Sequence, residues 1–198
     1  RTTIVSWQNT NQLLVKEHIG MFKAASNYDV FDLHSGEQVL ACREPNLGFF
    51  TRMLRFTDYT SMTPFDVQVT DAAGNLVVQV TRGISLWRSH VQVHDGYGQP
   101  LGSFRQKMLS IGGAFQVLNN EGQEVCKLQG KWTGWEFKFT AGGVELARVT
   151  KKWNGTGKEF FTSADNYVLD IDESIAPESD AHKLIIAAVM CIDKVLKE

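Results

Sequence analysis

Cysteine and proline are scarce in these 198 residues, with three of the first and four of the second. Cys42, Cys126 and Cys191 are odd in number and far apart in sequence. That argues against a disulfide framework or a Cys-based zinc site and fits a reducing compartment. Long hydrophobic runs are missing too. The longest, Leu184–Ile192, has nine residues, against the roughly 18 that suggest a membrane-spanning helix. No charge sign dominates: 20 basic and 22 acidic residues leave a formal net charge of −2. There is thus no global basic field to favour nucleic acid. At 43% hydrophobic, the chain can bury one sizeable core. A single domain over 1–198 is expected, with residues 1–10 as a poorly structured leader.

One pattern recurs. Two alternating apolar stretches flank a short polar turn containing glycine, at Tyr28–Ala41, Phe65–Val80, Val91–Phe104, Phe115–Leu128 and Phe137–Val149. Alternation gives a strand with one buried face, and Gly, Asn or Asp supplies the positive φ of a hairpin turn. Two further runs, Gln12–Val15 and Tyr167–Ile171, read as extended. A dozen antiparallel strands tend to close or fold over, because unpaired edges invite aggregation.

The tail departs from this pattern. Pro177 followed by Glu178, Ser179 and Asp180 reads as a helix start, with acidic groups at its positive end. Nine consecutive apolar residues then cover every face of the helix, which must be buried all round or lie in lipid. Nine residues rise only about 14 Å, against about 30 Å of hydrocarbon. Lys183 and Asp193 bound the run, and each costs about 2.5–3.5 kcal/mol at a bilayer centre. A 16-residue helix reaches about 24 Å, the length of a seven-residue strand. The expected fold is therefore mostly β, a closed antiparallel barrel of about twelve strands around a central hydrophobic C-terminal helix.

Particular residues sharpen this expectation. Lys152-Trp153-Asn154-Gly155 and then Glu159-Phe160-Phe161-Thr162-Ser163-Ala164-Asp165-Asn166-Tyr167 resemble a stretch characteristic of phospholipid scramblases. The terminal segment Lys183–Lys194 is similar to their hydrophobic helix, and Pro64–Val67 with Asp71–Gly74 resemble their early hairpin. The resemblance implies the tubby-like fold, shared with plant LURP-one-related proteins as cousins, and action on or with phospholipids. The family's palmitoylated cysteine cluster has no counterpart, since Ile84–His90 contains no cysteine. The family's calcium segment falls on Ser163–Ser174. The ligand positions of an EF-hand-like loop there hold Ser163, Asp165, Tyr167, Val168 and Ser174. One carboxylate is too few for calcium, and Tyr167–Ile171 reads better as a strand.

Other candidates weaken on inspection. Asn154–Lys158 lacks the leading Gly and trailing Ser or Thr of a phosphate loop. His90 and His94 share a strand face about 13 Å apart, too far for one ion, so no metal or cofactor is expected. No local nucleophile signature is present, and no covalent chemistry is expected. The candidate lipid-headgroup residues are Arg52, Arg55, Arg88, Lys151 and Lys152, with Trp87 beside Arg88 and Trp153 beside the lysine pair. An amphipathic ring and a cation both suit a headgroup layer. The expected partner is the phospholipid headgroup, met peripherally by a cytoplasmic protein that reaches a membrane surface. The alternative is a soluble regulatory or scaffold module with a protein or nucleic-acid partner, nucleic acid being disfavoured by charge.

Overall fold

The computed structural model describes residues 6–18, 27–45, 64–83, 90–106, 114–131, 134–151 and 166–192. They form twelve strands: β1 (Gln12–Glu17), β2 (Tyr28–Asp32), β3 (Gln38–Arg43), β4 (Phe65–Asp71), β5 (Leu76–Arg82), β6 (His90–Asp95), β7 (Pro100–Gln106), β8 (Ala114–Asn119), β9 (Glu124–Lys131), β10 (Glu136–Ala141), β11 (Val144–Thr150) and β12 (Asn166–Ile171). One helix follows, α1 (Asp180–Met190). Each strand pairs with its neighbours in sequence, and β1 also pairs antiparallel with β12, so the sheet is a closed barrel. Closure leaves no strand edge exposed to another chain. The five hairpins legible in the sequence are β2–β3 through β10–β11, and the two extended runs are β1 and β12.

Turn chemistry sets the register. Asp71, Asp95 and Asn119 recur every 24 residues, each followed three positions on by Gly. In all three turns the Gly N–H donates to the backbone carbonyl of the leading residue, at 3.0–3.1 Å. The leading side chain accepts two backbone N–H groups: Ala73 and Asn75 at Asp71, Tyr97 and Gln99 at Asp95, Glu121 and Gln123 at Asn119. Gly74, Gly98 and Gly122 have φ of 86°, 79° and 79°, a region open to Gly at no steric cost. Register shifts at Val69/Thr70, Val93/His94 and Val117/Leu118 complete a bulged hairpin at each site.

The inward residues of the strands, such as Val67, Val69, Val80, Val93, Phe104, Val117 and Phe139, converge on α1 in one core. Residues Leu184–Ile192 are all between 0 and 1% exposed. A helix buried on every face can carry apolar residues on every face, which accounts for the unbroken run. Each fully buried Leu, Ile, Val or Met contributes about 1.5–3 kcal/mol, making α1 the central core element. The eleven residues of α1 rise about 16 Å, within the roughly 20 Å of a six-residue strand. All three cysteines are free and buried. Burial, with the Glu124 charge nearby, pushes the Cys126 thiol up to about 12.

Ser179 caps α1: its side-chain oxygen accepts the His182 N–H at 3.2 Å, and Asp180 lies in the first turn. Within the stretch expected to be a leader, Trp7–Asn9 form a turn of 3-10 helix and Trp7 is 5% exposed. Its ring stacks on His182 with centroids 5.5 Å apart, closing the barrel where the helix enters.

Candidate functional site

Consecutive antiparallel strands put alternate connections on opposite rims. One rim carries the tight turns of the five hairpins and the entry of α1. The other carries the remaining strand ends: Glu17 with Tyr28, Arg43 with Phe65, Arg82 with His90, Gln106 with Ala114, Lys131 with Glu136, and Thr150 with Asn166. Arg52 and Arg55 belong to the segment between β3 and β4, Arg88 to that between β5 and β6, and Lys151 and Lys152 to that between β11 and β12. All five candidate cations thus lie in connections that join strand ends on one rim. Arg52, Arg55, Arg88 and Lys152, and the tryptophans Trp87 and Trp153, fall outside the described residues.

Lys151 is described, and its partner is Trp135. The pairing of β10 with β11 matches Glu136 with Thr150, which sets Trp135 and Lys151 across from each other at the strand ends. The Lys151 N–H donates to the Trp135 carbonyl at 3.2 Å, and Lys151 Nζ lies over the indole, 4.1 Å from its centroid. A cation over an indole face gains about 0.5–1 kcal/mol when exposed and more when desolvated. The same ring stacks on Tyr167 (centroids 5.9 Å, planes 28°) and meets Phe137 edge-on at 6.1 Å. Tyr28 meets Tyr167 edge-on at 6.3 Å. Trp135 holds φ at 48°, costly for a bulky side chain. The rings packed beneath it offset that cost. The result is a half-buried aromatic cap with an ammonium on top.

Trp135 did not stand out in the sequence. It was one tryptophan among five, and Trp153 is nearer to Lys151 along the chain. Only the strand register brings Trp135 opposite Lys151. One other charged group at this rim is internally matched. Arg43 Nη2 donates to Asp29 at 2.6 Å, and its Nη1 donates to the carbonyls of Tyr28 and Cys42. His18 bonds the other Asp29 oxygen. Burial alone would raise the Asp29 carboxyl, but the bonds from Arg43 and His18 outweigh it and hold the carboxyl below its usual value of 3.8.

The described part of the acidic segment is a strand and a turn. In β12, Tyr167, Leu169 and Ile171 face the core. Asp170 accepts a bond from Gln12 Nε2 at 3.2 Å, and Asp172 accepts the Ser174 N–H at 2.9 Å. Among the described residues, no three His, Cys, Asp or Glu side chains group to hold a metal ion.

Comparison with known proteins agrees with this architecture. A Saccharomyces cerevisiae protein, altered inheritance rate of mitochondria protein 25, is 24% identical over 176 residues, covering 76% of this chain and 53% of its own length. Human phospholipid scramblase 2 is 23% identical over 145 residues, covering 66% of this chain and 48% of its own. The chain thus spans about half the length of these curated relatives. The X-ray structure of an Arabidopsis thaliana protein shares the fold, with a TM-score of 0.57 and 14% identity over 93% of this chain and 91% of that one. Residues 4–197 match the Scramblase family profile, and with nearly the whole barrel and its central helix inside that match, the chain belongs to the scramblase family.

Proposed function

We propose that this protein is a scramblase-like, phospholipid-associated protein that binds headgroups peripherally, without covalent chemistry, through the rim that carries Trp135 and Lys151. The observation that carries this reading is the Lys151 ammonium held over the Trp135 indole, on the rim whose connections contain the other candidate cations. The name of the human relative, phospholipid scramblase 2, supports a phospholipid as the partner. Near an anionic surface each Lys or Arg contributes about 1 kcal/mol. Arg52, Arg55, Arg88, Lys151 and Lys152 together would reach about 5 kcal/mol, a dissociation constant of about 0.2 mM. An aromatic rim in the headgroup layer would tighten that contact.

A peripheral mode also suits the described surface. A membrane-spanning barrel faces lipid with apolar side chains and keeps polar ones inside. Here the interior is the apolar one, filled by α1, while Asp66, Gln68, Gln79, Gln92 and Lys138 point outward. No helix among the described residues is long and apolar enough to cross a membrane.

Flotation with liposomes of neutral phosphatidylcholine, with and without anionic phosphatidylserine, tests the reading. Binding should require the anionic lipid, weaken with salt, and fall at least fivefold in the Lys151→Glu, Lys152→Glu double variant. No flotation at low salt would sink the lipid reading. Flotation unaffected by the double variant would move the site away from this rim.

A further inference from the structure

A second site lies on the barrel wall, across β6, β7 and β8. Along β6 the outward positions are His90, Gln92 and His94, and on β7 the short outward residue is Ser103, beside Gly102, which has no side chain. The middle strand is therefore low between taller neighbours, and a groove of about 270 Å³ opens over it. Its floor is Leu118, which faces outward opposite Ser103 yet is only 3% exposed. Gly102 is required for this shape. A Cβ there would lie 2.0 Å from the Leu118 carbonyl oxygen, so any side chain would force β7 and β8 apart.

The polar lining is rich in donors. His90 pairs across the strands with Arg105, and Gln92 with Ser103. Cross-strand neighbours are about 5 Å apart and alternate residues along a strand about 7 Å apart. The four side chains therefore bound a rectangle that a tetrahedral oxyanion can bridge. No carboxylate lines the groove. Of the nearby carboxylates, Asp95 caps its own turn, Glu124 holds Gln116 at 2.5 Å and Lys127 at 3.4 Å, and Glu121 lies exposed in the turn between the lining residues Asn120 and Gly122. Several other cations of the barrel wall have partners, as in Arg148 with Glu145 at 2.8 Å and Lys16 over Phe31. Among the described residues, the side chains of His90, Gln92, Ser103 and Arg105 make no hydrogen bond or ion pair with protein. A metal ion is a poor fit, because Arg105 stands opposite His90 and repels a cation. A guanidinium with unengaged donors matches the geometry of a phosphate bidentately.

We infer that this groove binds a phosphate-type oxyanion, held by Arg105 and His90 with Gln92 and Ser103 completing its hydrogen bonds. The shared chemistry is a phosphate group, carried either by a soluble ion or by a lipid headgroup. The groove runs down the wall from the rim ends of β6 and β7, and it uses none of the residues of the rim reading above.

The test is a titration of isotopically labelled protein with sodium phosphate at constant ionic strength, read from the imidazole carbon–proton signals in NMR spectra. His90→Gln and His94→Gln assign the two resonances, and the exposed turn residue His34 serves as control. A saturable shift at His90 and His94 but not at His34, weakened at least tenfold in Arg105→Gln, supports the site. A second arm uses phosphatidylcholine vesicles with and without phosphatidic acid. Saturable change at the same two signals only with phosphatidic acid, competed by inorganic phosphate, assigns the anion to a headgroup. Saturation by free phosphate alone assigns it to a soluble ion. Two outcomes overturn the proposal: shifts in both arms that are linear and match His34, or shifts unchanged in Arg105→Gln. Lys151→Glu should leave the inorganic phosphate titration unaltered, because Lys151 does not line the groove.

Discussion

His182 sits where α1 enters the barrel, 1% exposed and stacked on Trp7. Its Nδ1 accepts the Glu178 N–H at 3.2 Å, so the ring proton is on Nε2, which has no hydrogen-bond partner. Protonating Nδ1 would break the Glu178 bond and bury a cation at the positive end of a helix, next to Lys183. Burial first, and the Lys183 charge second, hold this imidazole below its ordinary value of 6.5. The sign of the consequence follows from linkage. The unfolded chain takes up the proton first, so stability is full above about pH 6.5 and falls as pH drops from there towards the depressed folded value. Urea midpoints at pH 7.5, 6.5 and 5.5 should decline over the last step. His182→Asn, which keeps an acceptor for the Glu178 N–H but cannot titrate, should be flat there. The lowered carboxyls of Asp29, Asp32 and Asp71 act in a separate window, below their ordinary 3.8. A variant that keeps the wild-type decline between pH 6.5 and 5.5 would remove His182 as its cause.

At the scale of elements, α1 is where a single substitution has the largest effect. Met190 is 0% exposed at the end of the helix. Met190→Asp places a carboxylate among apolar side chains at a cost of several kcal/mol, against a total stability of about 5–15 kcal/mol. The variant should lack a cooperative thermal transition by circular dichroism, whereas Met190→Leu should stay within about 1.5 kcal/mol of wild type. A folded, soluble Met190→Asp protein would refute the central role of the helix. This element was legible in the sequence because an apolar run too short for a bilayer needs a container, and the hairpin count supplied one of matching height. Strands were legible for a similar reason: Phe65, Val67 and Val69 alternate cleanly, and the turns carry Asp or Asn three residues before Gly. What escaped is whatever depends on register. Trp135 meets Lys151 only because Glu136 pairs with Thr150. The groove exists only because Ser103 falls between Gln92 and Leu118. Trp7 looked like part of a leader because one tryptophan in a polar stretch carries no periodicity, and its partner His182 is at the other end of the chain.

At the scale of the whole molecule, the barrel is closed by its first and last strands. Leu14 of β1 faces outward between Val168 of β12 and Phe31 of β2, and with Leu33 they form a separate apolar cluster outside the barrel. The seam adds the Leu33 N–H to Gln12 carbonyl bond at 3.0 Å and the bond from Gln12 to Asp170, 158 residues apart in sequence. Such a contact closes a long loop and rewards the chain late in folding. Without β1, two strand edges are left, on β2 and β12. Pairing them directly would give eleven strands and a narrower barrel, too tight for a helix already buried at 0 to 1% exposure. A chain lacking residues 1–17 should therefore associate through its open edges instead of closing. Size-exclusion chromatography with light scattering should find oligomers or aggregate, where wild type is tested at the same concentration. Trp7→Ala, which removes the stacking on His182 but keeps β1, should remain as monodisperse as wild type. Adding a synthetic peptide of residues 6–18 to the truncated chain during refolding should restore a soluble one-to-one complex. A truncated chain that is monomeric and melts like wild type would show that the β1–β12 seam is dispensable, and that the helix alone organises the sheet around it.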